Sequence, residues 1–224
     1  MTAELTYETV RPVATYAPWL EDRAFSKVKK QIADHTLVDF LRLYELWRMV
    51  PQAGRLQGDI LEVGVWRGGT GCLMAKHAQM LGLSAKVMLC DTFAGVVKAG
   101  DRDRNYVGGE HADASEDVVR ALVDRMGLKN VQILKGIFPD ETGHWIADRK
   151  FSLCHIDVDV YESALAILKW VWPRMPVGGV IVYDDYGFDT CSGITRHVNE
   201  LFNAPGCLTV HNLNGHAVLV KTGV

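Results

Sequence analysis

Short apolar, β-branched runs alternate with helically spaced segments along most of this 224-residue chain. Two N-terminal segments rich in helix formers come first, and five strand–helix alternations follow. A last pair of strands flanks the turn-rich tetrapeptide 212–215, which suits a β-hairpin. The predicted strands are residues 60–65, 86–90, 131–134, 151–156, 180–183, 207–211 and 217–221. The predicted helices are residues 19–33, 36–50 (closed by Pro51 and Gly54), 70–81, 116–126 (capped by Ser115 and ended by Gly127), 162–172 and 193–202.

This order of elements predicts an α/β fold built on a mostly parallel, seven-stranded sheet. The C-terminal hairpin adds antiparallel strands at one edge, so the arrangement is Rossmann-like without the ending typical of Rossmann dehydrogenases. A chain of this length can bury one sizeable core. We therefore expect a single domain over residues 1–224, with a helical extension or cap at 1–55 and the α/β core at 56–224.

The composition is that of an ordinary soluble globular protein, with 48% hydrophobic and 23% charged residues. The net charge of −3 argues against a nucleic-acid partner, because such proteins usually carry a basic excess. Residues 1–12 lack a signal-peptide pattern, and every apolar run is too short to span a bilayer, so no membrane association is expected. Five scattered cysteines suggest reduced, buried thiols and a cytoplasmic location: Cys72, Cys90, Cys154, Cys191 and Cys207.

The first predicted strand enters a glycine-rich turn that does not match a phosphate-binding motif. No Lys-Ser or Lys-Thr follows the glycines, and Trp66 stands where the second glycine of a dinucleotide fingerprint must be. A ligand with an amino acid group and no phosphate fits better, since Glu62 can accept from an ammonium group and Gly64 leaves room beside it. Asp91, ending the second strand, is placed to accept from ribose hydroxyls. The alternatives are a plain turn and a helix-capping or solvated Asp91.

Three aspartates follow two successive predicted strands. Asp157 ends the fourth strand, and Asp184 and Asp185 end the fifth. If these strands are neighbours, the carboxylates converge at one sheet edge and repel each other. Nothing nearby in sequence supplies enough Lys or Arg to neutralise them, so a divalent cation with oxygen ligands, most simply Mg²⁺, is predicted. The alternatives are a solvated strand end for Asp184 and Asp185 and a helix cap for Asp157.

Four sequence blocks in this order resemble the macrocin O-methyltransferase family. They are residues 61–69 (LEVGVWRGG), 91–95 (DTFAG), 155–163 (HIDVDVYES) and 178–187 (GGVIVYDDYG). The resemblance runs from about Asp34 to the C-terminus. It implies a class I methyltransferase fold, S-adenosylmethionine as methyl donor, a divalent metal, a sugar hydroxyl of a natural product as acceptor, and a homo-oligomer. Residues 1–33 match least clearly and are expected to carry acceptor specificity or oligomer contacts.

The resemblance also assigns residues to the cofactor and the metal. The expected metal ligands are Asp157, Asp184 and Asp185. The expected cofactor-binding residues are Glu62, Gly64, Val65, Gly68, Thr70, Asp91, Thr92, Ser115, Gly136, Ile137, Phe138 and Asp157, with residues 136–138 bordering the adenine.

Methyl transfer from a sulfonium needs an oriented hydroxyl that has lost, or is losing, its proton. Asp157, Asp159 and His155 are the candidates to receive that proton, and the choice among them is open. Asp157 and Asp159 share a face if the fourth strand continues that far, and His155 can alternatively be a core histidine. The long polar stretch 92–114 is expected to cover the acceptor, with Tyr106 and His111 touching it.

Three other functions are alternatives to methyl transfer. A nicotinamide-dependent oxidoreductase could use the same sheet, but it would normally carry the missing glycine fingerprint. A partner of an oxygenase could bind S-adenosylmethionine without transferring a methyl group itself, although all three metal-binding acids are present here. The polar edge of the predicted sheet also makes a non-catalytic interaction module a poor fit.

Overall fold

The computed structural model describes residues 16–223, so residues 1–15 of the expected N-terminal extension lie outside the described part of the chain. The strands are β1 (Asp59–Val63), β2 (Val87–Asp91), β3 (Val131–Lys135), β4 (Phe151–Ile156), β5 (Val180–Tyr183), β6 (Cys207–His211) and β7 (Ala217–Lys221). The α-helices are α1 (Arg23–Gln31), α2 (Phe40–Ala53), α3 (Gly69–Met80), α4 (Glu116–Met126), α5 (Tyr161–Val171) and α6 (Ser192–Leu201).

All seven strands belong to one sheet in the order β3-β2-β1-β4-β5-β7-β6. Strands β1 to β5 run parallel, and β7 pairs antiparallel with both β5 and β6. The expected mostly parallel sheet with an antiparallel hairpin is therefore confirmed. The strand order reverses between β1 and β4, and in open parallel sheets ligands bind at such a point, beyond the carboxyl ends of the strands.

Both faces of the sheet are covered by helices, which is why the central strands read as continuous apolar runs. Successive residues alternate between the faces: Ile60 belongs to the apolar cluster that includes residues of α1, α2, α3 and α4, whereas Leu61 belongs to the cluster that includes residues of α5 and α6. Strand β4 is buried at all of its positions. Each fully buried aliphatic side chain of this kind contributes about 1.5–3 kcal/mol relative to exposure. The two apolar layers hold the strand ends in fixed register.

Helix α2 does not end at Pro51, as the sequence suggested, but continues through it to Ala53. A proline inside a helix leaves the carbonyl four residues earlier without its usual N–H partner. That carbonyl belongs to Trp47, and it lies 2.8 Å from Nδ1 of His77 on helix α3. The His77 ring also stacks on the Trp47 indole at a centroid separation of 3.6 Å. A tertiary contact thus replaces the missing backbone hydrogen bond.

The turn from β1 to α3 brings the end of β1 into close contact with the end of β4. Gly64 has a φ of +86°, and a Cβ atom built on it would lie 1.5 Å from the carbonyl oxygen of Asp157. The backbone N–H of Asp157 donates to the carbonyl of Val63 at 2.9 Å. Gly64 is therefore required for the approach that places Asp157 directly beside the glycine turn.

Within residues 16–223, no helix combines the length and the apolar character needed to cross a membrane.

Replacement of Gly64 by alanine is expected to destabilise the protein far more than the same change at Gly82. Both residues have positive φ, but nothing lies within 4 Å of a Cβ built at Gly82. Gly82→Ala should therefore lose only roughly 1–2 kcal/mol of unfolding free energy, the cost of holding alanine in the left-handed backbone conformation. Gly64→Ala adds an overpacking cost and should lose about 3 kcal/mol or more of unfolding free energy. Urea denaturation measures both losses, and equal losses would contradict the close approach.

Candidate active site

A cavity of about 270 Å³ opens at the carboxyl ends of β1, β2, β4 and β5. Residues of the 92–114 loop form part of its wall, among them Tyr106 and His111. The glycine turn with Asp91 and a group of aspartates both border this cavity. The position agrees with the place where this topology binds ligands.

Most of the residues expected to bind a cofactor line this cavity. Those that do are Gly64, Val65, Thr70, Asp91, Thr92, Gly136, Phe138 and Asp157. Four others point elsewhere or serve local structure: Glu62, Gly68, Ser115 and Ile137. The sequence could place each of them near the strand ends, but it could not show which way each residue faces.

Glu62 is fully buried beneath the turn and does not border the cavity. Its Oε1 lies 2.9 Å from Nδ1 of His155, and a Cβ built on Gly71 would meet its other oxygen at 2.3 Å. The side chain therefore packs between strand β4 and the first turn of helix α3. The expectation that Glu62 receives a ligand's ammonium group is not supported by this orientation.

The other three residues outside the cavity have structural explanations. Ser115 accepts a hydrogen bond from the N–H of Val118 and caps helix α4. Gly68 has a φ of +89° at the start of α3, and a Cβ there would press against Val119. Ile137 donates its N–H to Glu141. None of these three contacts faces the cavity.

Asp91 borders the cavity and also fixes the glycine turn. Its Oδ2 accepts from the N–H groups of Val65 and Trp66 at 2.6 and 2.8 Å. Its Oδ1 accepts from the N–H of Phe93 at 2.7 Å. Carboxylate oxygens have further lone pairs, so these bonds leave acceptor capacity for a ligand. The structure shows that Asp91 borders the cavity, and it adds a role in shaping the turn that the sequence pattern did not predict.

Asp157, Asp184 and Asp185 come together as predicted. One carboxylate oxygen from each lies within 4.8 Å of one from each of the others. Burial and the neighbouring Asp184 carboxylate raise the pKa of Asp157 well above its ordinary value. Burial and Asp184 also raise the pKa of Asp185, to about 8. The cluster therefore carries repulsion that its protein surroundings do not fully relieve.

Arg42 is the cation that the sequence analysis did not find. It lies on helix α2, its Nη1 contacts Asp184, and the same atom is 3.3 Å from Oδ1 of Asp185. Asp39 holds the guanidinium through a 2.7 Å contact with Nε. Burial alone would lower the pKa of Arg42, but Asp184 and Asp39 outweigh that effect and raise it. More than 140 residues separate Arg42 from Asp184, so no local pattern could connect them.

His155 lies behind the acid cluster and does not line the cavity. Its side chain is fully buried, with Nδ1 at 2.9 Å from Glu62 and Nε2 at 3.8 Å from Asp184. Burial alone would lower its pKa, but contacts with Asp184 and Glu62 raise that pKa to about 9. An enclosed histidine between two carboxylates cannot reach an acceptor hydroxyl, so His155 fits the alternative of a core histidine.

Asp184 is the most strongly stabilised anion of the cluster. Burial by itself would raise its pKa, yet contacts with His155 and His216 outweigh burial and hold the pKa well below its ordinary value. His216 Nε2 lies 2.7 Å from Asp184 Oδ1. His216 belongs to the C-terminal hairpin region and was not singled out from the sequence, because an isolated histidine in a turn carries no pattern.

Asp159 lines the cavity, but not by continuing the β4 alternation, since that strand ends at Ile156. Asp159 instead has a φ of +64°. The hydroxyl of Tyr106 donates to its Oδ1 at 2.8 Å. Burial and the Asp159 carboxylate raise the pKa of Tyr106, which keeps the phenol protonated as the donor. This contact joins the 92–114 loop to the acid cluster.

Comparisons with known proteins agree with the fold and identify a family. A tetracenomycin rhamnosyl 4'-O-methyltransferase from Streptomyces olivaceus is 33% identical over 70% of this chain and 64% of its own length. Mycinamicin III 3''-O-methyltransferase from Micromonospora griseorubida is 29% identical over 81% of this chain and 77% of its own length. This chain thus spans just under two thirds of the first relative.

A solved structure shares the architecture. The O-methyltransferase NovP superposes with a TM-score of 0.68 at 25% identity, covering 84% of this chain and 82% of NovP. The sequence profile of the macrocin O-methyltransferase (TylF) family matches residues 15–207, which is most of the chain. The resemblance seen in the four sequence blocks is confirmed, and the chain belongs to the macrocin O-methyltransferase family of enzymes.

Proposed function

We propose that this protein transfers a methyl group from S-adenosylmethionine to a sugar hydroxyl of a small natural product, with a divalent cation at Asp157, Asp184 and Asp185. The observation that carries the proposal is the meeting of these three carboxylates in the same cavity as the glycine turn and Asp91. The names of the two relatives support the acceptor class, since one substrate carries a rhamnosyl group and both products are O-methylated.

The chemistry of the cavity wall fits a cofactor without phosphate. Among the cavity-lining residues that the structure describes, Arg42 is the only Lys or Arg, and it contacts the acid cluster instead of the glycine turn. A dinucleotide would lack a cationic partner there, and Trp66 would still block the approach of a pyrophosphate. No observation therefore favours the nicotinamide alternative. Asp91 is the acceptor that would hold the ribose hydroxyls.

The donor set fits a hard divalent cation. Three carboxylates supply oxygen ligands, which Mg²⁺ prefers. Arg42 brings one positive charge to this group, and the raised pKa values of Asp157 and Asp185 indicate that repulsion persists. A divalent cation would relieve it. We place the cation at these residues because all three face the cavity.

When bound, the cofactor supplies an electrophilic methyl group, and the cation lowers the pKa of the acceptor hydroxyl. The protein's own part is to receive the hydroxyl proton and to hold the acceptor in line. Asp157 and Asp159 are the two candidates that border the cavity, and Tyr106 orients Asp159. The 92–114 loop encloses the acceptor and limits the access of water. The single-domain organisation, the homo-oligomer and the cytoplasmic location stay predictions.

The direct test combines the purified protein, methyl-labelled S-adenosylmethionine, Mg²⁺ and a panel of rhamnosylated natural products, with mass spectrometry of the products. We expect a labelled methyl group on one sugar and loss of the product in excess chelator. Asp185→Asn should slow turnover by roughly 100-fold or more, since even residues outside a metal's own ligands cost 10–100-fold. Asp189→Asn, an exposed neighbour outside the cavity, should not. Unchanged turnover in chelator would refute the metal role, and cofactor binding without any methylated product would favour an oxygenase partner.

Asp91→Ala should weaken the binding of S-adenosylhomocysteine by roughly 1–3 kcal/mol, the cost of leaving charged hydrogen bonds unmade. Asp59→Ala is the matched control. Asp59 also accepts a backbone hydrogen bond, from Lys86 at 2.8 Å. It is the first residue of β1, however, and so lies at the end of the strand that is away from the cavity. Calorimetry should show an affinity change only for Asp91→Ala. Equal affinities in the two variants would remove Asp91 from the cofactor site.

Mg²⁺ should stabilise the folded protein more at about pH 8.5 than at about pH 6, because metal ions bind the deprotonated form of a carboxyl ligand. The Asp185 carboxyl, with its pKa raised on folding to about 8, keeps its proton in the folded state at the lower pH. The metal-free protein should accordingly lose stability as pH rises from the ordinary Asp value towards 8, and Mg²⁺ should offset that loss. Thermal unfolding with and without Mg²⁺ measures the effect. In Asp185→Asn the pH dependence of the Mg²⁺ effect should flatten, and an identical Mg²⁺ effect at both pH values in the wild type would contradict this reasoning.

A further inference from the structure

A buried row of alternating carboxylates and imidazoles runs behind the acid cluster, from strand β1 to helix α2. We call it the Glu62–Glu45 chain. Glu62 Oε1 is 2.9 Å from His155 Nδ1, and His155 Nε2 is 3.8 Å from Asp184 Oδ1. Beyond Asp184, His216 Nε2 is 2.7 Å from the same oxygen, and His216 Nδ1 is 2.6 Å from Glu45 Oε2. Asp184 is therefore the central member of the chain.

The side chains of the Glu62–Glu45 chain are deeply buried. The side chains of Glu62, His155 and His216 are 0% exposed, that of Asp184 is 2% exposed, and that of Glu45 is 14% exposed. Buried ionic groups contribute little net stability, because desolvation offsets their attraction. Apolar side chains could fill the same space at similar or greater stability. A role in arranging the active site therefore accounts for the Glu62–Glu45 chain better than a role in stability.

Each oxygen of Asp184 is held by a different element. Oδ2 contacts Arg42 of helix α2, and Oδ1 contacts His216 beside strand β7. The Asp184–His216 contact is a close approach of the two side chains that does not meet the geometry of a hydrogen bond. Arg42 and Glu45 lie three residues apart on α2, so they share one face of that helix. One helix face thus reaches Asp184 directly through Arg42 and indirectly through Glu45.

Glu45 is itself fixed by the turn of the C-terminal hairpin. Asn214 donates to its Oε2 at 3.1 Å, and Asn212 donates to its Oε1. The imidazole of His216 is consequently clamped between two carboxylates whose positions are both set. Without this clamp, only Arg42 would hold the Asp184 carboxylate, through Oδ2, and Oδ1 would be free to turn away from Asp157 and Asp185.

We propose that His216 and Glu45 are positioning residues: Glu45 orients the His216 imidazole, and His216 holds Asp184 in the geometry that binds the divalent cation. This inference rests on the metal site of the proposed function. Neither residue borders the cavity, so neither touches substrate or cofactor. The N-terminal helix and the hairpin then act together as part of the cation site.

Two substitutions at His216 separate the two contacts of its ring. The amide nitrogen of asparagine lies close to the position of Nδ1, so His216→Asn can keep the contact with Glu45 but loses the one with Asp184. The amide nitrogen of glutamine lies close to the position of Nε2, so His216→Gln can keep the contact with Asp184. The probe is Mn²⁺ alone, titrated into the purified full-length protein and followed by electron paramagnetic resonance.

We expect His216→Asn to weaken Mn²⁺ binding by roughly 10- to 100-fold, the usual effect of losing a partner of a metal ligand. His216→Gln should stay within a few-fold of the wild type. Both variants should bind S-adenosylhomocysteine as the wild type does. His197→Asn is the matched control, because His197 is equally buried but its ring contacts Tyr183 instead of Asp184. That variant should leave Mn²⁺ affinity unchanged.

Equal Mn²⁺ affinity in the two His216 variants, or losses that merely follow their melting temperatures, would overturn the positioning role. If His216→Asn does not fold, Glu45→Gln carries the test. It should weaken Mn²⁺ binding several-fold without changing the affinity for S-adenosylhomocysteine, and an unchanged Mn²⁺ affinity would overturn the proposal. A wild-type protein that binds no Mn²⁺ would overturn both this inference and the metal part of the proposed function. A wild type that binds Mn²⁺ while the variants behave alike overturns the inference alone.

Discussion

Mutual repulsion among carboxylates at the ends of two adjacent parallel strands governs the arrangement of this site. The register of β4 and β5 puts Asp157 next to Asp184 and Asp185, and all three cannot ionise freely in a partly desolvated cavity. The surrounding groups respond to that constraint. Arg42 approaches from one side and the histidines from another, so Asp184 is held as an anion while Asp157 and Asp185 keep raised pKa values. The remaining repulsion is what a divalent cation would relieve.

Two features of the fold produce this arrangement. Gly64 lets the end of β1 meet the backbone of Asp157, which puts the acids beside the glycine turn that borders the cavity. Helix α2 passes Pro51 because His77 lies at the freed Trp47 carbonyl, and the same helix carries Arg42 and Glu45 to the acid cluster. The N-terminal segment, which looks like an addition to the sheet, therefore completes the charge balance of the site.

The sequence predicted what is local and missed what depends on distant partners. The strands, the hairpin and the positions of Asp91, Asp157, Asp184 and Asp185 followed from short patterns at strand ends. Arg42 and His216 could not be predicted, because their partner lies far away in sequence and an isolated residue carries no pattern. The directions of Glu62 and His155 also escaped prediction: both lie on strands buried on two faces, where alternation does not distinguish the cavity side from the core. The family resemblance supplied the expected cofactor and metal, and the structure shows which of the expected side chains border the cavity.

The proposed function requires that the acids ending β4 and β5 gather a cation beside a bound sulfonium donor. The most direct measurement is a crystal structure of the protein with Mn²⁺ and S-adenosylhomocysteine, with anomalous scattering used to locate the metal. We expect one strong Mn²⁺ peak within bonding distance of oxygens from Asp157, Asp184 and Asp185, and the cofactor sulfur facing the same cavity beside Asp91. A cofactor in that cavity with no Mn²⁺ at the acids, or Mn²⁺ bound elsewhere while the three carboxylates point apart, would contradict it.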